Sequence, residues 1–479
     1  MTIFPRDEDT ICAVSTPHGR GGISVIRVSG RAGEKILKSC CDFLPRSLES
    51  HRIYYGFFRS KNKQVIDEVL VGFFKEGRSF TGETVFEISC HGSPFICDEI
   101  LKVLIELGAR PADRGEFTYR AFMNGRIDLT QAEGVLELIE SQTAEQKKIA
   151  LRQLGGQLSQ KIRRIEDQIT RILAHVEADI DFSTENLETL SRAEATSTLN
   201  SILEELRQLL GSYEWGRKIR DGVNVALIGS PNVGKSTLFN LLVGEERAIV
   251  TPFAGTTRDV LSEDVFERGL KFSFFDTAGV RLQTNDLIER IGIDRSRKTF
   301  QEADWLLFVL DASQPPSAEE IVLASEVPPE RVVVVLNKVD LVEGEIEPSV
   351  SHDKSWAALL SIFFKDLGFG AAFAKGKILQ LSANTPSARA KVFDSLFQEF
   401  SQRSGPLDDV VLTSSRHYEA LLASAQSISE AIDSLSQHRS LEFVALELKE
   451  SLLKIQAILG IQYDDQILDR VFKEFCLGK

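Results

Sequence analysis

The first quarter of the chain alternates short apolar runs with glycine-rich turns. Runs rich in β-branched and aromatic residues occupy 23–28, 69–74 and 85–89, and one apolar stretch with helical spacing lies near 96–107. Short runs bounded by turn residues are typical of strands, and spacings of three and four are typical of a helix. The pattern predicts a small α+β domain over residues 1–122.

From about residue 129 to 210 the apolar residues follow the period of an amphipathic helix. They recur three or four positions apart, at Leu151, Leu154, Leu158, Ile162, Ile165, Ile169, Ile172 and Val176. The same period returns between residues 418 and 459. Apolar stripes of this kind bury one face of each helix in a bundle. We therefore predict one helical domain in two parts, 123–217 and 385–479.

Between these helical parts the chain changes to buried strands that alternate with helices. Short runs made almost entirely of apolar residues occupy 223–228, 272–275, 305–310 and 332–336. Such runs are typical of parallel strands that are covered on both faces. The pattern predicts a doubly wound α/β domain over residues 218–384, inserted into the helical domain. An apolar helical patch at 356–364 has no predicted function.

Composition and charge narrow the class of protein. The chain has 479 residues, 43% of them hydrophobic, and a formal net charge of −14. That charge disfavours a general polyanion binder, because nucleic-acid affinity depends on Lys and Arg. The six cysteines form no CxxC pair, which favours reduced thiols. The sequence also has no long apolar run, so we expect a cytoplasmic protein with no membrane association.

The segment 229–236 fits the phosphate-binding pattern GxxxxGK[ST] directly after a predicted strand and before a predicted helix. Glycines let backbone N–H groups close around phosphates, the lysine neutralises the β and γ oxygens, and the final hydroxyl can bind Mg²⁺. The predicted nucleotide-binding residues here are Asn232, Val233, Gly234, Lys235, Ser236 and Thr237.

Three further segments complete a set of guanine-nucleotide motifs. A DxxG element follows the predicted strand 272–275, and an NKxD element follows the predicted strand 332–336. The NKxD aspartate can accept hydrogen bonds from guanine N1 and N2, which adenine cannot donate, so GTP is predicted over ATP. The predicted residues are Asp276, Thr277, Ala278 and Gly279, then Asn337, Lys338, Val339 and Asp340, and finally Ser382, Ala383 and Asn384.

The loop between the phosphate-binding segment and Asp276 is predicted to sense the γ-phosphate. The sensing segment is 255–259 (GTTRD), and the nucleotide-binding residues predicted in this region are Thr251, Pro252, Phe253, Ala254, Gly255, Thr256 and Thr257. A threonine hydroxyl in such a loop contacts Mg²⁺ and the γ-phosphate in switch GTPases. We predict Thr257, together with Ser236, as the Mg²⁺ ligands.

The position that orients the attacking water departs from that of small signalling GTPases. Val280 follows Gly279 where a glutamine is common, so another group must position the water. Glu263, Asp286 and Glu289 are all available carboxylates, and the residues alone leave that choice open.

The GTPase motifs, the segment 16–22 (TPHGRGG) and the terminal FCLGK of 475–479 resemble the MnmE (TrmE) family of bacterial tRNA-modification GTPases. The resemblance covers the whole chain. It implies a homodimer with an N-terminal domain for folate binding and dimerisation. It also implies an FAD-dependent MnmG-type partner, forming a heterotetramer or larger complex that modifies carbon 5 of the wobble uridine in tRNA.

The resemblance also implies cofactors and roles for single residues. It implies a 5-formyl- or methylene-tetrahydrofolate as the one-carbon source, held by Arg27, Glu87, Arg126 and Lys479, with Arg126 where the family usually has lysine. It implies a K⁺ site built by Asn232, Thr251, Phe253 and Thr256, and Glu289 as the catalytic carboxylate.

Two questions remain open at the level of sequence. Cys476 is either a nucleophile or a small buried apolar residue. The rival function is a GTP-switched ribosome-assembly or RNA-binding factor without covalent chemistry, and folate binding by the N-terminal domain discriminates between the two functions.

Overall fold

The computed structural model describes residues 9–181, 191–244, 262–276, 303–342, 354–364, 377–401, 410–463 and 465–479. The chain divides into two compact units. The first contains Met1–Glu140, Lys148–Leu210 and Arg416–Lys479, and the second contains Ser141–Lys147 and Gly211–Ser415.

The first unit begins with a six-stranded sheet. Its strands are β1 (Ile11–Val14), β2 (Ile23–Ser29), β3 (Arg52–Arg59), β4 (Val65–Phe74), β5 (Val85–His91) and β6 (Arg110–Pro111). The order is β3-β4-β5-β2-β1-β6, and only the β1–β6 pair is parallel. This mixed architecture confirms the predicted α+β class.

The two faces of this sheet differ because successive side chains of a strand point to opposite sides. Helices α1 (Gly33–Cys40) and α2 (Pro94–Glu106) cover one face. There Ile26, Phe86 and Ile88 are fully buried. On the other face, the side chains of β2 and β5 include Arg27 and Glu87, which are direct cross-strand neighbours.

Five helices follow in the first part of the helical region. They are α3 (Glu116–Met123), α4 (Leu129–Glu140), α5 (Ala144–Leu154), α6 (Gln157–Asp181) and α7 (Arg192–Gly211). The apolar stripe predicted from 151 to 176 is divided between α5 and α6, because Gly156 adopts φ 79° between them. Leu151, expected on the buried side, is 45% exposed.

The second unit contains another six-stranded sheet with helices. In chain order its elements are α8 (Tyr213–Asp221), β7 (Val223–Ile228), α9 (Lys235–Val243), β8 (Ser262–Glu267), β9 (Leu270–Asp276), β10 (Trp305–Asp311), α10 (Ala318–Glu326), β11 (Val332–Asn337), α11 (Lys354–Phe364), β12 (Ile378–Gln380) and α12 (Ser387–Ser401). The strand order is β12-β11-β10-β7-β9-β8. All neighbours are parallel except β8 and β9, as predicted for a doubly wound sheet.

The apolar patch at 356–364 belongs to the core of this unit. It forms most of α11, whose Trp356, Leu359 and Phe363 pack with Phe308 of β10. Every residue of β11 is buried, as expected for a parallel strand with helices on both faces.

Helix α12 also belongs to the second unit. The rings of Phe393 and Phe397 lie 5.3 and 5.5 Å from that of Phe272 in β9. The boundary predicted at residue 384 therefore lies ahead of a helix that packs on the nucleotide sheet. The helical period of 387–401 predicts a helix but contains no information about which core the helix covers.

Three helices complete the first unit: α13 (Ser415–Ser436), α14 (Leu441–Leu459) and α15 (Asp465–Lys473). Helix α14 packs along α6. Glu133 of α4 accepts from Arg416 Nε at 2.9 Å and lies 2.7 Å from His417 Nε2 of α13. Segments far apart in sequence thus form one helical core.

Candidate functional site

The phosphate-binding segment lies at the carboxyl edge of the second sheet, between β7 and α9. From β7 the chain continues to β8 and β9 on one side, and β10 lies on the other side of β7. Ligands of open α/β sheets bind at such a switch point, outside the carboxyl ends of the strands. The loop therefore lies where a nucleotide is expected.

Two glycines of the loop are required by the geometry. Gly229 has φ 145°, and a Cβ there would lie 2.2 Å from the carbonyl oxygen of Val309. Gly234 has φ 100°, and its Cβ would lie 2.2 Å from Nδ2 of Asn337. Neither conformation nor contact suits a side chain, so the glycines let the loop close tightly over the ends of β10 and β11.

Lys235 lies in the first turn of α9 and folds back beneath the loop. Its Nζ donates to the carbonyl oxygens of Gly229 and Ser230 at 2.8 and 2.7 Å, and the residue is 7% exposed. Ser236 and Thr237 follow in the same turn and are exposed. A helix N-terminus with a fixed ammonium beside it is a strong site for phosphate oxygens.

Asn337 connects three of the predicted motifs. Its Nδ2 donates to the carbonyl oxygen of Val233 at 2.8 Å, and its Oδ1 accepts from the backbone N–H of Ala383 at 2.8 Å. The residue is 2% exposed. Its side chain therefore holds the phosphate loop and the segment 382–384 in a fixed relation, which sequence spacing cannot show.

The guanine-reading turn follows Asn337. Lys338 has φ 62°, and residues Val339–Leu341 form a short 3₁₀ turn in which Asp340 is exposed. Ser382 and Ala383 are buried, whereas Asn384 is exposed. The turn therefore presents the Asp340 carboxylate to solvent at the carboxyl edge of the sheet.

Part of the predicted site lies outside the described residues. Asp276 is the last residue of β9 and is paired in register with Leu227, next to the phosphate loop. The residues predicted in 251–257, together with Thr277, Ala278, Gly279 and Glu289, are not described. Among the described residues, the Ser236 hydroxyl supplies an oxygen of the kind that Mg²⁺ prefers.

A second candidate site lies on the first sheet. Arg27 donates from Nε and Nη2 to Oε1 of Glu87, at 3.1 and 2.8 Å. The guanidinium also lies 5.6 Å from the ring centroids of both Phe80 and Phe117. The sequence did not point to these two aromatic residues, because neither belongs to a motif. They fix the guanidinium plane while Glu87 stays partly exposed.

The end of the chain docks into this second site. Ser15 Oγ donates to the carbonyl oxygen of Gly478 at 3.1 Å, and the backbone N–H of Phe117 donates to a backbone oxygen of Lys479 at 3.2 Å. A Cβ at Gly478 would lie 2.3 Å from the carbonyl oxygen of Val14. Burial, and then the nearby Arg27 charge, lower the pKa of the Lys479 amine.

The remaining predicted residues are placed as follows. Arg126 is exposed, and its Cγ lies close to Gly82, in the loop that contains Phe80; no contact joins it to Arg27 or Glu87 among the contacts of the described residues. Cys476 is exposed, so the alternative of a small buried residue is wrong.

Comparisons with known proteins match nearly the whole chain. A model of the "MnmE helical domain" matches residues 129–476, and a model of the "GTP-binding protein TrmE N-terminus" matches residues 10–126. The tRNA modification GTPase MnmE of Bdellovibrio bacteriovorus is 48% identical over 475 residues, 99% of this chain and 98% of that protein. The Bacillus subtilis protein of that name is 37% identical, over 98% of this chain and 100% of its own length.

Solved structures resemble the chain only in part. A variant of Era from Aquifex aeolicus, bound to GDP and aluminium fluoride, has a TM-score of 0.25 at 24% identity and covers 43% of this chain and 66% of its own. The FeoB G-domain from Methanococcus jannaschii has a TM-score of 0.24 at 26% identity, over 37% of this chain and 98% of its own. These scores are too low to inform function.

No described helix is both long and apolar enough to cross a membrane.

Proposed function

The chain belongs to the MnmE family of tRNA-modification GTPases, and we propose a separate function for each of its two candidate sites. The nucleotide unit hydrolyses GTP with Mg²⁺ and K⁺. The site on the first sheet binds a tetrahydrofolate derivative that supplies one carbon. Acting with an FAD-dependent MnmG-type flavoprotein, the protein adds a carboxymethylaminomethyl or aminomethyl group to carbon 5 of the wobble uridine.

One observation carries the folate part of this proposal. Lys479 lies near Arg27, because the backbone N–H of Phe117 donates to Lys479 and the Phe117 ring lies 5.6 Å from the Arg27 guanidinium, which is bonded to Glu87. Both bonds from Arg27 go to Oε1 of Glu87, so the second carboxylate oxygen can accept from the amino and N–H edge of a pterin. The half-buried ammonium of Lys479 supplies a positive charge for the polar groups of the same ligand. Arg126, whose Cγ lies close to Gly82, is proposed to pair with a carboxylate of the same ligand.

Folate binding is the test of this site. We expect the full-length protein to bind 5-formyltetrahydrofolate in isothermal titration calorimetry, and Glu87→Gln to weaken binding by about ten- to a hundredfold, the range for a lost charged hydrogen bond. Glu34→Gln is the matched control, because Glu34 forms only a surface pair with Lys38. If the unaltered protein binds no folate, the rival function of an RNA-binding switch is favoured.

In the nucleotide unit we propose that Lys235 binds the β and γ phosphates. Ser236 and Thr257 bind Mg²⁺ next to them, and Asp340 reads the guanine. Glu289 orients the attacking water in place of the missing glutamine. A K⁺ ion held by Asn232, Thr251, Phe253 and Thr256 supplies the positive charge that an arginine supplies in other GTPases.

The potassium role predicts an ion-dependent rate. Asn232 is exposed in the loop with φ 66°, and Asn232→Gly keeps that backbone conformation while it removes the side-chain oxygen. We expect K⁺ to raise the GTPase rate of the unaltered protein at least about tenfold over Na⁺, well below the value of an arginine finger. In Asn232→Gly the two rates should converge. Equal rates in Na⁺ and K⁺ for the unaltered protein would contradict the assignment.

We also propose a homodimer in the cytoplasm, where tRNA is available. The open face of the first sheet supports it, because Ile53, Tyr55 and Leu70 are 69%, 63% and 44% exposed and lie together across β3 and β4. Adjacent exposed apolar side chains of this size mark a protein-interaction surface. Sedimentation of the full-length protein would measure the oligomeric state directly.

A further inference from the structure

A carboxylate that belongs to none of the guanine-nucleotide motifs lies beside the guanine-reading turn. Asp311 is the last residue of β10 and is paired in register with Asn337, the last residue of β11. The backbone N–H of Ala312 donates to the carbonyl oxygen of Asn337 at 2.8 Å. Asp311 therefore reaches the carboxyl edge of the sheet next to the NKxD segment.

The Asp311 carboxylate holds the side chain of Lys338. Lys338 Nζ donates to Oδ2 at 2.7 Å, and Ser313 donates to Oδ1 from its backbone N–H at 3.0 Å and from Oγ at 2.6 Å. Burial acts to raise the pKa of Asp311, but bonds from Lys338 and Ser313 outweigh it and lower the pKa to about 2. The Asp311 carboxylate is therefore ionised at neutral pH and can pair with the Lys338 ammonium.

Lys338, the lysine that Asp311 holds, has an unfavourable backbone conformation. Lys338 has φ 62°, a region that residues with a Cβ seldom occupy and that surrounding contacts must stabilise. The backbone N–H of Leu341 donates to the carbonyl oxygen of Lys338 at 3.0 Å. This bond closes the turn that contains Asp340. Fixing the Lys338 side chain therefore also fixes the turn that presents Asp340.

We propose that Asp311 is a positioning residue that sets selectivity for guanine. It anchors Lys338, and through Lys338 it holds Asp340 where one carboxylate accepts from both N1 and N2 of the base. This inference rests on the proposed role of Asp340 and adds a determinant outside the motif. An inosine nucleotide is the informative probe, because hypoxanthine keeps N1–H and lacks the N2 amino group.

The test compares GDP and IDP binding to full-length Asp311→Asn. We expect GDP affinity to fall about tenfold, as for a lost charge-assisted hydrogen bond, and IDP affinity to fall only about twofold. The ratio of GDP to IDP affinity therefore decreases about fivefold. Equal losses for both nucleotides, or no change in either, would overturn the proposal. Ser313→Ala should shift the ratio the same way by less, and it serves as the test if Asp311→Asn does not fold.

Two controls separate positioning from general stabilisation. Asp264, in the same unit, also bonds a lysine and a serine, with Lys271 Nζ at 2.9 Å and Ser273 Oγ at 2.6 Å. Because it lies outside the NKxD turn, Asp264→Asn should leave the ratio of GDP to IDP affinity unchanged. In a Lys338→Met background, Asp311→Asn should have no further effect on the ratio, because the two residues act together. A full additional effect there would overturn the proposal. An unaltered protein that does not prefer GDP over IDP would instead contradict the role of Asp340 itself.

Discussion

Lys235→Ala is expected to lower GTP affinity by at least about a hundredfold and to reduce GTP hydrolysis to background. The Lys235 ammonium is fixed beneath the phosphate loop by two carbonyl oxygens, and in the proposed complex it bonds directly to the β and γ phosphates. Losing charge-assisted bonds to two phosphate groups accounts for a factor of this size. Titration of the full-length protein with GTP and Mg²⁺ measures the affinity, and phosphate release measures hydrolysis.

The same variant tests the assignment of the phosphate loop. Lys391→Ala is a suitable control, because Lys391 lies in the same unit, and its Nζ donates to the carbonyl oxygen of Gln380. That variant should bind GTP as tightly as the unaltered protein. Thermal denaturation of both variants should show intact units. Tight GTP binding by Lys235→Ala would mean that residues 229–236 are not the phosphate site.

Asp340→Asn is expected to exchange guanine for xanthine as the preferred base. The carboxylate of Asp340 accepts two hydrogen bonds from guanine, whereas a carboxamide has one acceptor and an NH₂ donor. Xanthine has an oxygen at C2, which accepts from that NH₂. Sites that pair buried polar groups discriminate strongly against a base that cannot supply them. We expect GDP affinity to fall at least about a hundredfold, and XDP affinity to rise by a similar factor.

Competition binding with GDP and XDP measures this exchange. Asp340 is exposed in a short turn, so the substitution should not disturb folding. Asp394→Asn is the control, because Asp394 is exposed on α12 and pairs with Arg268 at 2.6 Å. If Asp340→Asn still prefers GDP, another residue reads the base, and the NKxD assignment is wrong.

Local sequence patterns were enough to predict where the main strands lie and that they are buried. The strand predicted at 223–228 is β7, and the apolar runs predicted at 305–310 and 332–336 are the central strands β10 and β11. Runs of apolar residues bounded by turns predict buried strands because only such runs can be covered on both faces. The glycines of 229–236 predicted the tight loop correctly, since the φ values of 145° at Gly229 and 100° at Gly234 favour glycine.

Sequence patterns did not show which hydrophobic core each helix packs against. Leu151 fits the apolar stripe and is exposed, and α12 has a helical period but packs its phenylalanines on β9. An amphipathic helix shows which of its faces is buried. The partner that buries it is decided by the arrangement of the other elements.

The guanine-nucleotide motifs and the family resemblance can be recognised from the sequence alone, because each motif is a contiguous segment with a locally defined backbone conformation. Contacts between residues that are distant in sequence become visible in the folded chain. It links Lys479 to the Arg27 site through Phe117, joins Val233 to Ala383 through Asn337, and pairs Lys338 with Asp311. Such contacts arise where strands of separate sequence position end at one edge or share one face, and no spacing along the chain shows them.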